Sequence, residues 1–213
     1  MSAFYIGLGI IASYLIGSIP TSVWLGKAYF GIDVRDYGSG NAGATNTFRV
    51  LGKKAGVIVF FVDVLKGWTA ASLATILWFL DIVPEGDLLI FKLIFGLCAV
   101  LGHIFPIYEN FRGGKGVATL LGMGLSLHLE ASLLCILIFV VVLIASKYVS
   151  LGSIIAALAF PLLLLIPRFN PEEPLIIIFG FAVFALVVFT HQKNIKRIIA
   201  GEENKTNLRI RKR

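Results

Sequence analysis

The chain has 213 residues, of which 58% are hydrophobic and 15% are charged, and its formal net charge is +7. Soluble domains carry roughly a quarter of charged residues, so this composition excludes an ordinary soluble protein and predicts an integral membrane protein. A membrane span needs about 20 residues, and the length therefore allows about seven spans and no separate soluble domain. We expect one membrane-embedded domain over residues 1–200 and a basic cytoplasmic tail over residues 201–213.

The predicted fold class is all-α, a polytopic membrane bundle of about seven transmembrane helices. The apolar runs that define these helices fall at residues 3–25, 55–80, 88–108, 115–130, 131–147, 150–167 and 174–192. The first run has no basic segment before it, which favours a span over a cleaved signal peptide. The fourth run is short and contains Gly122, Gly124 and His128, so a re-entrant or tilted helix is an alternative there.

Basic residues concentrate on one side of the predicted bundle. All but two of the 19 Lys and Arg residues lie in the loops after spans 1, 3 and 5, at the adjoining helix ends or near the C-terminus. The exceptions are Lys92 and Arg168. By the positive-inside rule, the C-terminus is cytoplasmic and the N-terminus lies outside. A basic cytoplasmic face attracts anionic lipid head groups and anionic small molecules, so the charge requires no nucleic-acid partner.

The loop after the first span contains a polar, glycine-punctuated stretch, GSGNAGATNTFR at residues 38–49, which we call motif 1. Ser39, Asn41 and Asn46 can orient hydroxyls or oxyanions, and Thr45 adds a further hydroxyl. Arg49 can hold a phosphate through its planar guanidinium. The alternative is an interfacial turn with helix-capping Asn and Thr, which explains one or two of these residues but not the whole set.

The loop after the third span contains motif 2, GHIFPIYENFRGGKGVA at residues 102–118. Gly113, Gly114 and Gly116 are expected to leave backbone N–H groups free to approach an anion. Lys115 adds a positive charge where a helix N-terminus would begin, which is a phosphate-binding arrangement. The stretch lacks the Walker pattern. The alternative is a glycine-rich helix break that serves packing.

Motif 3, HQKNIKRIIAGEE at residues 191–203, follows the last span. His191 and Asn194 are spaced i and i+3 on one helical face, and Arg197 follows three residues later. An interfacial histidine with a purely structural role is the alternative. Motifs 1, 2 and 3 follow spans 1, 3 and 7, so all three reach the same face. We therefore expect them to converge on one pocket.

The sequence gives no indication of a metal site. Asp33 and Asp36 form only a weak carboxylate pair in a polar loop, which does not suit Mg²⁺. Cys98 and Cys135 both fall in apolar runs, where a thiol behaves as a small hydrophobic group. Asp63 and Lys66 in the second span are spaced i and i+3, so they can pair with each other. We predict neither a metal nor a cofactor.

In length, span count and the order of the three motifs, the sequence resembles the bacterial acyl-phosphate glycerol-3-phosphate acyltransferases. The resemblance implies transfer of a fatty acyl group from acyl phosphate to the 1-hydroxyl of glycerol 3-phosphate. The products are lysophosphatidic acid and phosphate, in the first step of phospholipid synthesis. It places the protein in the bacterial plasma (inner) membrane as a multi-pass enzyme, with these substrates and membrane lipids as partners and no nucleic acid. The sequence carries no signal for an oligomeric state.

The resemblance also implies which residues form the site. The catalytic residues that it implies are Ser39, Asn46, Arg49, Lys115, His191 and Asn194. The substrate-binding residues that it implies are Asn41, Thr45, Arg112, Gly113, Gly114 and Gly116. A transporter of organic phosphates or other anions would also need a basic pocket, but it usually has two related halves with broken helices, and the sequence has neither. A structural protein of the bilayer leaves three basic motifs on one side unexplained.

Overall fold

The computed structural model describes residues 2–206, and every regular element among them is helical. This confirms the all-α class. The α-helices in that part of the chain are α1 Ser2–Ser18, α2 Thr21–Phe30, α3 Ala44–Val50, α4 Lys53–Phe79, α5 Leu88–Ile104, α6 Val117–Leu127, α7 Leu129–Ser146, α8 Val149–Leu164, α9 Leu175–Thr190 and α10 Gln192–Ile199. Short 3₁₀ helices lie at Val34–Asp36, Glu85–Asp87, Ile107–Glu109 and Pro167–Phe169.

Three segments of the described chain are long and apolar enough to cross a membrane: Lys53–Phe79, Glu85–Glu109 and Leu129–Ser146. Two further spans result if the bent pairs α1/α2 and α9/α10, whose axes turn by 42° and 64°, each count as one. The remaining apolar helices, α6 and α8, are shorter than a usual span. The structure thus supports three to five spans by length and composition, and about seven spans with the stated orientation stays a prediction.

Tertiary contacts divide the chain into two compact units, with the boundary between His128 and Leu129. The first unit contains α1 to α6 and the second contains α7 to α10. The predicted domain boundary at residue 200 stays a prediction. The predicted tail begins with packed residues, because the backbone N–H of Thr206 donates to the carbonyl of Lys147 at 2.8 Å and Glu203 is buried. Residues 207–213 lie outside the described part.

Helix α4 is the centre of the first unit, where it packs against α1, α5 and α6. Glycines make its contact with α6 very close. A Cβ added to Gly67 would lie 1.9 Å from the carbonyl oxygen of Thr119, and one added to Gly122 would lie 1.8 Å from that of Val64. Small residues allow this backbone approach between helices. The contact fixes α6, and therefore the end of motif 2, against the longest helix.

A buried ion pair stabilises the break between α1 and α2. Lys66 Nζ donates to Asp63 Oδ1 at 2.6 Å, and both residues are buried, which confirms the predicted pairing. Lys66 also donates to the carbonyl of Ile19, which precedes Pro20 at the break. The same carbonyl accepts from the backbone N–H of Thr21 at 3.0 Å, so Lys66 is its second donor at the interrupted helix.

Candidate functional site

Asn46 organises the loop of motif 1. Only 1% of Asn46 is exposed, and its Oδ1 accepts a hydrogen bond from the backbone N–H of Ser39 at 2.8 Å. Its Nδ2 donates to the carbonyls of Val34 at 2.7 Å and Tyr37 at 3.1 Å. A Cβ at Gly38, which has a φ of +63°, would lie 2.3 Å from Asn46 Oδ1. These contacts favour a positioning role for Asn46, because its amide is occupied by loop backbone.

The other polar residues of motif 1 are more accessible than Asn46. Ser39, Asn41 and Thr45 are partly exposed, and Arg49 on the short helix α3 is exposed. The loop therefore presents hydroxyl and amide groups at its surface, while the buried side chain of Asn46 binds the loop backbone. The structure places these residues where a ligand can reach them, and their roles stay predictions.

The glycines of motif 2 serve packing against the end of α5. The backbone N–H of Gly113 donates to the carbonyl of Ile104 at 3.1 Å, and that of Gly114 donates to the carbonyl of His103 at 3.0 Å. The expectation that both N–H groups are free is therefore wrong. A Cβ at Gly113 would lie 2.0 Å from the His103 carbonyl oxygen, and one at Gly114 would lie 2.2 Å from His103 Nε2. Glycine is needed here because the loop crosses the last turn of α5 in contact with it.

Lys115 lies directly before α6, as the sequence predicts. Gly116 is the N-cap of α6 and adopts a φ of +78°, a conformation that glycine accommodates without strain. Lys115 is partly buried and Arg112 is exposed. The positive end of the α6 dipole and the charge of Lys115 favour an anion at this position.

Motifs 1 and 2 meet within the first unit. A Cβ at Gly114 would lie 2.7 Å from the carbonyl oxygen of Ala42 in motif 1. Ala42 and Gly113 both line a small cavity with room for about one water molecule, and the buried groups of Asp63 and Lys66 lie in the same lining. The predicted proximity of these two polar loops is therefore present in the structure.

A cluster of charged residues that the sequence did not predict joins Glu109 of motif 2 to residues of α2 and of the segment between α2 and motif 1. Lys27 Nζ lies 3.1 Å from Glu109 Oε1, and Arg35 Nη2 lies 2.7 Å from Glu109 Oε2 and 2.6 Å from Asp33 Oδ2. The hydrogen bonds from Arg35 hold the pKa of the Asp33 carboxyl below its usual range, although partial burial opposes this. The only sequence signal was that these charges stand close to glycine-rich stretches.

Motif 3 lies in the second unit, where it surrounds a buried carboxylate. Glu203 Oε1 accepts hydrogen bonds from Asn194 Nδ2 at 2.7 Å and Ser150 Oγ at 2.9 Å, and Glu203 Oε2 accepts one from Arg197 Nε at 2.8 Å. Burial alone would raise the pKa of the Glu203 carboxyl, but the hydrogen bonds from Arg197, Asn194 and Ser150 together lower it. Sequence reasoning gave Glu203 no role.

His191 is the second buried polar residue of motif 3. His191 Nδ1 lies 2.8 Å from the carbonyl oxygen of Val187, and His191 and Asn194 are both buried. The predicted convergence of motif 3 with the other two motifs stays a prediction. Within residues 2–206, no group of three or more His, Cys, Asp or Glu side chains is arranged to hold a metal ion.

Comparison with known proteins gives one consistent answer. The family model described as glycerol-3-phosphate acyltransferase matches residues 7–201. A protein named glycerol-3-phosphate acyltransferase from Chlorobaculum tepidum is 41% identical over an alignment of 219 residues that covers 92% of this chain and 94% of the relative. A protein of the same name from Salinibacter ruber is 39% identical over 205 residues, which cover 92% of this chain and 90% of the relative.

Two crystal structures of PlsY, an integral membrane glycerol 3-phosphate acyltransferase, share the fold. Its glycerol 3-phosphate form superposes with a TM-score of 0.83 at 36% identity, and its lysophosphatidic acid form with a TM-score of 0.80 at 35% identity. Each comparison covers 95% of this chain and 96% of the PlsY chain. With a family model over nearly the whole sequence, relatives near 40% identity and a shared fold, the chain belongs to the glycerol-3-phosphate acyltransferase family.

Proposed function

We propose that this integral membrane acyltransferase transfers a fatty acyl group from acyl phosphate to the 1-hydroxyl of glycerol 3-phosphate at the cytoplasmic face of the bacterial plasma membrane. The hydroxyl oxygen attacks the acyl carbonyl carbon, so an ester bond forms and the bond from that carbon to the phosphate oxygen breaks. The hydroxyl proton passes to the departing phosphate. The products are lysophosphatidic acid and inorganic phosphate. Glycerol 3-phosphate and lysophosphatidic acid are the molecules named for the two PlsY forms.

The observation that carries the proposal is the contact between motifs 1 and 2 within the first unit. It brings the accessible polar loop that contains Ser39 close to the segment that ends with Lys115 before α6. Both proposed substrates bear phosphate, and a basic side chain at a helix N-terminus suits an anion. Hydroxyl and amide groups nearby suit the polyol part of glycerol 3-phosphate.

The roles follow from chemistry and accessibility. Lys115, Arg49 and Arg112 neutralise phosphate groups, and Ser39, Asn41 and Thr45 hydrogen-bond the acceptor or the donor. Stabilising the charge on the departing phosphate is the main catalytic contribution, and loss of one such contact typically costs about 3–4 kcal/mol. Acyl phosphate is an activated anhydride, so direct attack by the acceptor hydroxyl requires no enzyme nucleophile.

His191 and Asn194 remain part of the proposed set. The hydrogen bond from Asn194 to Glu203 fixes the orientation of its amide. Asn46 supports the loop, and Gly113 and Gly114 place motif 2 against α5.

The test is a reaction with purified, detergent-solubilised protein. With palmitoyl phosphate and glycerol 3-phosphate together, inorganic phosphate and lysophosphatidic acid should appear in equal amounts, and either substrate alone should give neither. Acyl-CoA should be a poor donor when free thiol is measured. Efficient transfer from acyl-CoA contradicts the donor assignment, and the absence of any transfer contradicts the function.

A matched pair of lysines tests the site. Lys115→Ala should nearly abolish turnover while the thermal unfolding temperature stays unchanged. Lys54→Ala is the control, because Lys54 is an exposed lysine in the first turn of another helix, α4. It should keep normal kinetics. Equal activity in both variants would show that Lys115 has no catalytic role.

A further inference from the structure

Arg35 connects the two motifs of the first unit, although it belongs to neither. Its side chain is only 11% exposed. Nη1 donates to the backbone carbonyls of Glu109 at 3.3 Å and Arg112 at 3.1 Å, and Nη2 donates to Glu109 Oε2 at 2.7 Å. Nε donates to Asp33 Oδ1 at 3.0 Å. One guanidinium therefore binds a neighbouring carboxylate and a segment of motif 2 that lies 74 residues away.

The segment that Arg35 binds is a turn in an uncommon conformation. Asn110 and Phe111 have φ angles of 54° and 58°, and consecutive non-glycine residues rarely adopt this left-handed region. The N–H of Arg112 closes the turn by donating to the carbonyl of Glu109 at 3.2 Å. Strained backbone of this kind persists only where the surroundings hold it. The N–H of Phe111 contributes by donating to the carbonyl of Pro106 at 2.9 Å. Arg35 supplies the side-chain part of the restraint, because it binds the carbonyls at both ends of the turn.

The turn leads directly into the glycine loop. Gly113 follows Arg112, and the N–H groups of Gly113 and Gly114 bond to the end of α5. A change in the turn therefore shifts the point from which Gly113, Gly114 and Lys115 begin. The buried carboxylate of Glu109 adds a second constraint, since it is held by both Arg35 and Lys27.

Arg35 is itself held in place by motif 1. Asn46 Nδ2 donates to the carbonyls of Val34 and Tyr37, one residue before and two residues after Arg35. The carboxylate of Asp33 accepts from the backbone N–H of Arg35 at 2.9 Å as well as from its side chain. A continuous set of hydrogen bonds thus runs from Asn46, through Arg35, to the turn at residues 109–112.

Arginine suits this position for a chemical reason. Its planar guanidinium presents five N–H donors in fixed directions, whereas a lysine ammonium is one compact group on a flexible stem. Two carboxylates and two carbonyls surround Arg35 and use all three of its nitrogens. A lysine keeps the charge but cannot reach both carbonyls and both carboxylates at once.

We infer that Arg35 is a positioning residue for the acyl transfer: it holds the turn at residues 109–112, and through it the glycine loop with Lys115, in register with motif 1. The inference rests on the proposed function for its kinetic test. Arg35 contacts no substrate in this role, and its effect is on how well the phosphate-binding loop is preorganised. Substitution should therefore weaken substrate binding more than it slows the chemical step.

The kinetic test is Arg35→Lys. The KM for glycerol 3-phosphate should rise roughly tenfold, since a displacement on the order of 1 Å in a positioning element can cost up to 10²-fold. The kcat should also fall, but by less than the KM rises, because the displaced Lys115 keeps its charge. The control is Arg168→Lys, because Arg168 also pairs with a glutamate, Glu130 at 3.0 Å, but at an exposed position. It should leave both constants unchanged. An unchanged KM in Arg35→Lys overturns the inference.

A rescue separates positioning from general stability. Phe111→Gly removes the side-chain strain at the left-handed residue, so it should lower the KM of Arg35→Lys at least threefold towards normal. Tyr108→Gly, an exposed aromatic position in the preceding 3₁₀ helix, should not. A smaller folded fraction lowers the apparent kcat and leaves the KM unchanged, so a KM that Phe111→Gly fails to lower contradicts the positioning role.

Hydrogen exchange tests the inference without any turnover. In full-length Arg35→Lys, the amides of residues 109–114 should exchange at least fivefold faster than in the unaltered protein, while those of α4 should not change. Unaltered exchange in the turn overturns the inference even if the acyl transfer is found. Faster exchange in a protein that transfers no acyl group supports the restraint and contradicts only the proposed function.

Discussion

Asn46→Asp is the substitution that best separates support of motif 1 from contact with substrate. Aspartate has nearly the same shape as asparagine, so it can still accept the hydrogen bond from the N–H of Ser39. It cannot donate to the carbonyls of Val34 and Tyr37 when ionised. The change therefore removes two donors from a buried position without leaving a cavity, and it places a negative charge beside two carbonyl oxygens.

The expected cost follows from these bonds. The carbonyls of Val34 and Tyr37 keep a second donor each, the backbone N–H of Tyr37 at 3.4 Å and of Gly40 at 3.1 Å. The loss is therefore that of two hydrogen bonds at about 0.5–1.5 kcal/mol each, or about 1–3 kcal/mol in total. For a protein of this size, each kcal/mol lowers the unfolding temperature by roughly 2–4 °C, provided that the loop unfolds with the rest of the unit. We expect a decrease of roughly 2–12 °C in Asn46→Asp, with loss of activity because the loop of motif 1 is less well held.

The assay is thermal unfolding in detergent measured beside kcat and KM. Ser39→Ala is the comparison, because it removes a hydroxyl but keeps the backbone N–H that Asn46 binds. Ser39→Ala should lose activity at an unchanged unfolding temperature, whereas Asn46→Asp should lose both. An Asn46→Asp protein with normal stability and a much lower kcat would refute the supporting role and indicate a catalytic role for Asn46.

Three further predictions concern the first unit and its orientation. Gly114→Ala should raise the KM for glycerol 3-phosphate at least fivefold, because the added Cβ would lie 2.2 Å from His103 Nε2. Overpacking of this kind costs about 1–3 kcal/mol. A normal KM contradicts the conclusion that Gly114 is needed for packing against α5. The pKa of Asp33 is lowered by Arg35, so its stabilising effect is present above the ordinary carboxyl pKa of about 4 and is lost as the pH falls through the lower folded value. Asp33→Asn should therefore be less stable than the unaltered protein at pH 7, and this gap should narrow as the pH falls below about 4, as denaturant titrations can measure. A stability gap that does not depend on pH contradicts this. Gly86→Cys, in the loop between α4 and α5, should react with an impermeant maleimide from outside intact cells, and reaction only after lysis contradicts the orientation.

The sequence predicts the features that depend on local composition and spacing. Hydropathy indicates helices because an apolar environment requires every backbone group to be bonded within its own segment. The i, i+3 spacing of Asp63 and Lys66 predicts their ion pair. Hydropathy misses the break at Pro20, because apolar residues continue on both sides of it and α1 and α2 read as one span.

Features that depend on distant partners could not be predicted. Gly113 and Gly114 have the composition of an anion-binding loop, but their N–H groups bond to the end of α5, and only tertiary structure determines that choice. An asparagine that binds substrate and one that binds carbonyls are chemically identical, so Asn46 could not be assigned from its type. The contact between Arg35 and Glu109 joins residues 74 positions apart and has no local signal.

The most direct test of the central claim is a single turnover with enzyme in excess over palmitoyl phosphate labelled in both the acyl and the phosphate groups. Direct transfer predicts that phosphate and lysophosphatidic acid appear at the same rate, only when glycerol 3-phosphate is present, and that intact-mass analysis of the quenched enzyme finds no acyl adduct. A burst of phosphate without the acceptor, accompanied by acylation that Ser39→Ala abolishes, would contradict direct transfer and establish a covalent intermediate in its place.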